Sequence, residues 1–440
     1  MRKWVAVMVA AVAACSNNQT KRDDGGAGSD SGDDSASSTP ITVTLTNRPA
    51  DATKAWFVAA YQDGDGPWKL APAANGDTYS FSISSATYGF AYTCIAPEPG
   101  LTAYSEFRYV GITRFAISER TNLTIAMPRR CASVGAANVA LSGTVSGLDT
   151  NGTFSVVFGN AFADVDASTG SYQLMTPPGT HDLIVLRRQK VIGSAERIVD
   201  RTYVQRSFTV SSAMTANIDF AMSTPTQSFP VTVASSGGAS TILHSAGGTL
   251  TDLTNVYLPP LESRALAVSQ AMTGDLYQQS MGISNSYNGA TQTLSTSAPT
   301  AQTWTSTPPP LGSSTPFIAS NTPYPQVTAS WAPYADAIGY TLFFTQTISA
   351  TRCVTATPCL IVWQASLSPE VAGSAPAYQM PDFSAVPGWD GLFEPFATTE
   401  IGVSVTAHLS SAGPQDFPLA SPAVDGTVQT SVWSSYMVTP

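Results

Sequence analysis

The side chains able to do acid–base or nucleophilic chemistry are few and scattered. The three histidines, His181, His244 and His408, fall in different segments. His181 opens a strand after a turn and His408 alternates outward from the strand beginning at Ile401, so neither is placed as a general base held by a partner. A nucleophile elbow needs Gly-x-Ser-x-Gly, and the nearest stretch, Gly282-Ile283-Ser284-Asn285-Ser286, fails at its last position. None of the five lysines follows a serine by three, and neither His-Glu-x-x-His nor Gly-x-x-x-x-Gly-Lys occurs. Asp63-Gly64-Asp65-Gly66 begins like a calcium loop but carries Ala74 where a bidentate Glu is required, so it reads as a turn. These patterns predict no catalytic residue, no metal and no cofactor, and the chain is expected not to be an enzyme. A hydrolase assembled from distant residues is the competing reading.

The cysteines carry more information. Met1-Arg2-Lys3 is a positive start, Trp4 to Ala14 is an apolar run, and Val12-Ala13-Ala14 leads directly into Cys15. Such a run is too short to cross a bilayer, which takes about 20 residues, and its order is that of an export signal. Val12-Ala13-Ala14-Cys15 resembles the bacterial lipobox. The resemblance implies that residues 1–14 are removed and that Cys15 becomes a diacylated N-terminus, anchoring the chain durably in a membrane. Ser16 lacks the aspartate that resembles an inner-membrane retention signal, so an outer-membrane lipoprotein of the cell envelope is expected. Cys94, Cys131, Cys353 and Cys359 remain as an even set in an oxidising compartment. The short spacing around Pro358 suggests Cys353–Cys359, which leaves Cys94–Cys131, with stabilisations of about 2 and about 4 kcal/mol from loop length. Neither pair has zinc-knuckle spacing or a nearby histidine.

At 440 residues the chain should hold three or four domains, and its 43% apolar content is enough for real cores. Only 11% of residues are charged, and the formal net charge of −10 becomes −12 once Arg2 and Lys3 leave with the signal. Nucleic acid is therefore excluded as a partner, because phosphate binding needs clustered cations. Residues 15–40 collapse to Asn, Gln, Asp, Gly and Ser with five aspartates, and are expected to be a disordered acidic tether.

What must position any site is β-structure. Ile41-Thr42-Val43-Thr44-Leu45 alternates, Trp56 to Tyr61 reads as a strand, and Asn75-Gly76-Asp77 turns into Tyr79-Phe81-Ile83. A first sandwich is predicted over 41–130. Over 138–222, Ser142-Gly143-Thr144-Val145 and the stretch from Gly170 to Thr180 resemble the carboxypeptidase-regulatory-like family. That resemblance implies a small prealbumin-like sandwich and no activity. A β-rich third domain is predicted over 229–306 and a Pro/Ser-rich spacer over 307–322, where Pro308-Pro309-Pro310 favours extension. Over 323–440, Val327 to Trp331 leading into Tyr340-Thr341-Leu342 resembles the B and C strands of a fibronectin type III domain, implying an immunoglobulin-like sandwich with Trp331 in its core. The stretch from Pro369 to Pro395 departs from that pattern. The fold class expected is all-β, with tandem immunoglobulin-like and prealbumin-like sandwiches.

A binding or spacer array is the function this organisation suggests, with a protein or glycan ligand. Aromatic side chains on sandwiches can stack on sugar rings. Trp68, Trp304, Trp363, Trp389 and Trp433 are the candidates, although tryptophan is more often core. Trp304 stands out, because Gln302-Thr303-Trp304-Thr305-Ser306 gives it no apolar neighbour in sequence.

Overall fold

Period-two alternation builds four small sheets, and each buries its apolar rows against a much larger one. The structure, a computed structural model, describes residues 38–440 except 54, 98–105, 129–130, 132–136, 190–196, 234–236, 258, 285–286, 305–307, 313–315, 350, 352, 354–357 and 419–423. The expected signal, Cys15 and most of the tether lie outside the described residues. Residues 38–440 form one compact unit.

The first stretch contains β1 (Thr39–Thr46), β2 (Ala59–Asp63), β3 (Lys69–Leu70), β4 (Ala73–Asn75), β5 (Thr78–Ile83), β6 (Thr87–Pro97), β7 (Glu106–Ala116) and β8 (Asn122–Ala126). The second contains β9 (Val139–Ser146), β10 (Gly152–Phe158), β11 (Ala161–Asp164), β12 (Ser171–Thr176), β13 (Gly179–Gln189), β14 (Arg197–Val210), β15 (Met214–Thr215) and β16 (Ile218–Asp219). The third runs through β17 (Thr224–Pro225), β18 (Gln227–Val233), β19 (Gly237–His244), β20 (Leu250–Val256), β21 (Glu262–Ala265), β22 (Leu276–Ser284), β23 (Asn288–Thr296) and β24 (Gln302–Trp304). The last holds β25 (Phe317–Ser320), β26 (Gln326–Ser330), β27 (Gly339–Ile348), β28 (Cys359–Leu367), the short helix α1 (Pro369–Ala372), β29 (Ala377–Gln379), β30 (Ile401–Ser410) and β31 (Val428–Val438).

One strand group from each stretch joins its neighbours edge to edge in a seventeen-stranded sheet. Its spatial order is first, fourth, third, second. β7 pairs in parallel with β28 from Glu106↔Cys359 to Arg114↔Leu367. β31 pairs with β23 from Val428↔Leu294 to Ser434↔Asn288, and β20 meets β14 at Thr254↔Ile198 and Asn255↔Arg197. Sharing edges in this way leaves few strand edges open to foreign chains.

The four facing sheets are β4-β5-β1-β8, β12-β9 with β15 and β16, β21-β18-β24, and β25-β26-β29. In the first three, the opening strand pairs antiparallel with an inner strand and parallel with a closing one: β1 with β5 and β8, β9 with β12 and β15, β18 with β21 and β24. β26 departs from that plan, with antiparallel neighbours on both sides. Ile41, Val43 and Phe81 pack on Tyr88 and Phe90 in the first sandwich, and Leu141 and Leu174 on Val156 and Val185 in the second. The cores of the third and fourth merge through Ala290, Val432 and Leu342.

Three expectations need correction. Trp56 sits at φ 50° in a turn and is 48% exposed, so the second strand begins only at Ala59. The stretch around 307–322 is no free spacer, since Leu311 is buried and accepts from Ser434 Oγ through its carbonyl, the Tyr334 hydroxyl donates to Pro309 O at 3.1 Å, and β25 forms inside the stretch. His408 alternates to the face opposite Val405 and Ala407, as expected, but that face is covered and supplies it with partners. It lies partly buried against Phe417, with ring nitrogens 3.0 Å from Ser431 Oγ and 2.9 Å from Thr341 Oγ1, and burial pushes it down to about 4.

Candidate functional site

The two disulfides join Cys94 to Cys131 and Cys353 to Cys359. Cys94, Cys131 and Cys359 are fully buried. Trp304, singled out as a stacking residue, is only 6% exposed and belongs to the core shared by the third and fourth sandwiches. On β24 Thr303 stands on the opposite, exposed face, and the apolar surroundings of Trp304 come from elsewhere in the chain. Trp68 and Trp363 are buried too, and Trp389 packs between Phe383 and Phe393. His181 packs edge-on to Phe158 and meets Gly247 O, while His244 meets Gln278 Oε1 at 2.8 Å. Among the described residues no group of three or more His, Cys, Asp or Glu is placed to hold a metal ion.

Trp433 is the exception. Directly paired residues share a face of a sheet, and the pairs Gly238↔Gly282, Gly282↔Thr291 and Gly289↔Trp433 therefore lie on one face. The opposite face carries Ala239, Met281 and Ala290 into the core. On the outer face Trp433 lies over Gly289, and Tyr257, 61% exposed just beyond β20, lies over Gly238.

The glycines are what allow this. A Cβ at Gly289 would stand 2.4 Å from Trp433 Cζ2, and one at Gly238 would stand 2.7 Å from Tyr257 Cδ1. At Gly282, midway between them, a Cβ would meet nothing nearer than Thr291 Oγ1 at 3.6 Å, so the floor there is open. β19 and β23 are two strands apart, which separates the ring positions by about 10 Å. The result is a cleft of about 420 Å³ between two rings, with Ser240, Ser280, Ser284 and Asn255 along it. That volume lies within the usual range for small-molecule sites.

Ser284, from the failed elbow motif, lines this cleft, but on a regular antiparallel strand and not on a strand-to-helix turn. Tyr257 is the one titratable side chain among the described lining residues. The arrangement therefore offers hydroxyl and amide hydrogen bonding between two aromatic faces, with no acid–base pair. Serine hydroxyls and asparagine both donate and accept, which suits a ligand whose hydroxyls do the same.

No protein-family model matches the chain, and no curated protein matches it. What fold and site define together is an all-β protein of sandwiches fused through one sheet, with an uncharged aromatic cleft on that sheet's outer face.

Proposed function

We propose that the protein is a non-enzymatic, lipid-anchored component of the cell envelope that binds a neutral glycan chain along the outer face of its continuous sheet. The observation that carries this reading is the pair of rings, Tyr257 and Trp433, each laid over a glycine and facing the same uncharged floor. An open cleft on a sheet face suits a segment within a chain better than a buried small molecule. The lipobox-like tetrad at Cys15 supports a membrane as the second partner, with the acidic tether giving reach from the outer membrane. The regulatory-like reading of 138–222 and the type III-like reading of 323–440 belong to the same proposal, as frameworks without activity of their own.

Affinity electrophoresis in polysaccharide gels tests the binding arm. The protein should be retarded by at least one wall or storage glycan, and Trp433→Ala should weaken that retardation by about tenfold, as removal of a central aromatic anchor does. Retardation by none, or an undiminished effect in Trp433→Ala, defeats the reading. The anchor is tested separately: a globomycin-sensitive mobility shift should disappear in Cys15→Ala.

A further inference from the structure

We infer that the seam between the first and last sandwiches holds a second binding site, a polar pocket for a single neutral sugar unit. It does not depend on the outer-face cleft, from which it differs in residues and in shape. The pocket measures about 340 Å³, at the small end of ligand sites. It is built where the end of β2, the turn after it and strand β7 meet the start of β26, strand β29 and the segment following β29.

Two features mark it as a place for a ligand. Tyr378 is 5% exposed and lines the pocket, yet its hydroxyl has no hydrogen-bond partner in the protein. Burial drives that hydroxyl well above its usual range while the nearby charge of Arg114 pulls it down, so the phenol is neutral and able to donate. Arg114 lines the same pocket, and its Nε–H is likewise buried and unpartnered. Buried polar groups are nearly always satisfied, and both of these unpartnered donors belong to residues that line this one pocket.

The remaining lining groups are fixed in place by other contacts. Arg114 Nη2 donates to Asp65 at 2.7 Å, and Gln62 Nε2 donates to Gly66 O at 2.7 Å. Gln379 Nε2 donates to the 92%-buried Gln326 at 3.1 Å. Asp382 accepts from Ser384 N, and the Tyr324 hydroxyl, donating to Pro381 O and accepting from Phe383 N, holds the backbone beside it. Carboxamides present a donor and an acceptor in one plane, matching adjacent hydroxyls that each do both. Asp65 and Asp382 outnumber the one guanidinium, which is already paired, so an anion is disfavoured. Trp68 supplies an apolar wall.

The test is calorimetric titration of the full chain, solubilised in a detergent without sugar headgroups, with neutral mono- and disaccharides and, as a contrast, free amino acids. At least one saccharide should bind with unit stoichiometry. Gln379→Ala and Tyr378→Phe should each weaken it by about three- to tenfold, the effect of losing one hydrogen bond, and Trp433→Ala should leave it unchanged. Removing an unpartnered buried hydroxyl does not cost stability, so Tyr378→Phe should keep or raise the melting temperature while lowering affinity, a split that a purely structural role would not produce. Absence of saccharide binding, preference for amino acids, or loss in Trp433→Ala with retention in Gln379→Ala would each overturn the proposal.

Discussion

The seam joining the first and fourth sandwiches and the seam joining the second and third differ in ladder length and in how they are locked. Where β7 runs beside β28 the filling is aromatic. Trp363 is 1% exposed among Tyr324, Phe383 and Trp389, and its indole N–H donates to Phe393 O at 2.8 Å. The ion pair of Arg108 with Glu106 is buried there, and Arg108 reaches across to Leu392 O at 2.9 Å. The second-to-third seam has a short β14–β20 ladder, packs Ile184, Leu186 and Val199 on Leu243, Leu253 and Leu266, and is clamped by charge. Arg206 bridges Asp182 at 2.7 Å and Asp275 at 2.6 Å, both almost fully buried, and Gly247 N and Ser207 N also donate to Asp182. At the second-to-third seam a short connection already holds the two sandwiches together, and the clamp fixes their orientation over a smaller apolar filling. The first and fourth are brought together by no such connection, and a long ladder with a large apolar filling does it instead.

The sharpest way to break this comparison is Arg108→Ala. Removing the guanidinium that faces the buried Glu106 carboxylate and reaches Leu392 O should cost about 3 kcal/mol, read as a lowered denaturant midpoint with loss of near-ultraviolet tryptophan signal. A drop under about 1 kcal/mol would mean that the two seams do not differ in the way described.

Next come the disulfides. Cys94–Cys131 closes a loop with a sequence separation of 37 and Cys353–Cys359 one of 6. Opening the first by double serine substitution should cost about 4 kcal/mol and opening the second about 2. Melting curves of the two variants check the order, and non-reducing peptide mapping checks the connectivity.

Acid sharpens the comparison further. Phe417 packs on both Phe115 and His408, so His408 belongs to the first-to-fourth seam. Its folded value of about 4 lies below the ordinary 6.5, so the unfolded chain takes up the proton first. Stability is then complete above pH 6.5 and declines as pH falls toward 4, by up to about 3 kcal/mol. Asp182 titrates lower. Burial alone would raise it, but the Ser207 N–H and Arg206 outweigh that and hold it below 3.8. Its contribution is present above 3.8 and lost only as pH falls through that lowered value. Hydrogen exchange at pH 5 should therefore show β27 and β30 opening before β13 and β14, and His408→Gln should remove the difference.

Strands with one wet face were legible in the sequence. β1, β5 and β12 alternate buried and exposed residues, and the turns at Gly64 and Gly76 carry the positive φ that only glycine adopts easily. Strands lacking that contrast were not. β7 and β28 are buried nearly throughout because both of their faces are covered, and β22 and β23 are rich in Ser, Thr, Gln and Gly because their outer face is the floor of the cleft. Period-two reading finds neither kind. These are the strands that fuse the sandwiches and form the cleft, so the alternation of Ile401–Leu409 was visible while the site beside it was not.

By itself the sequence determined the all-β class, the cysteine pairs and the scarcity of acid–base chemistry, since these depend on residue type and on spacing over a few positions. The tertiary structure decided which strands became neighbours. It placed β7 against β28, about 250 residues away in the chain. It buried Trp304 in apolar contacts that its own segment lacks, and left Trp433 half-buried over a glycine from another strand. Whether a side chain is core or site depends on what the rest of the chain lays over it, and no local pattern carries that information.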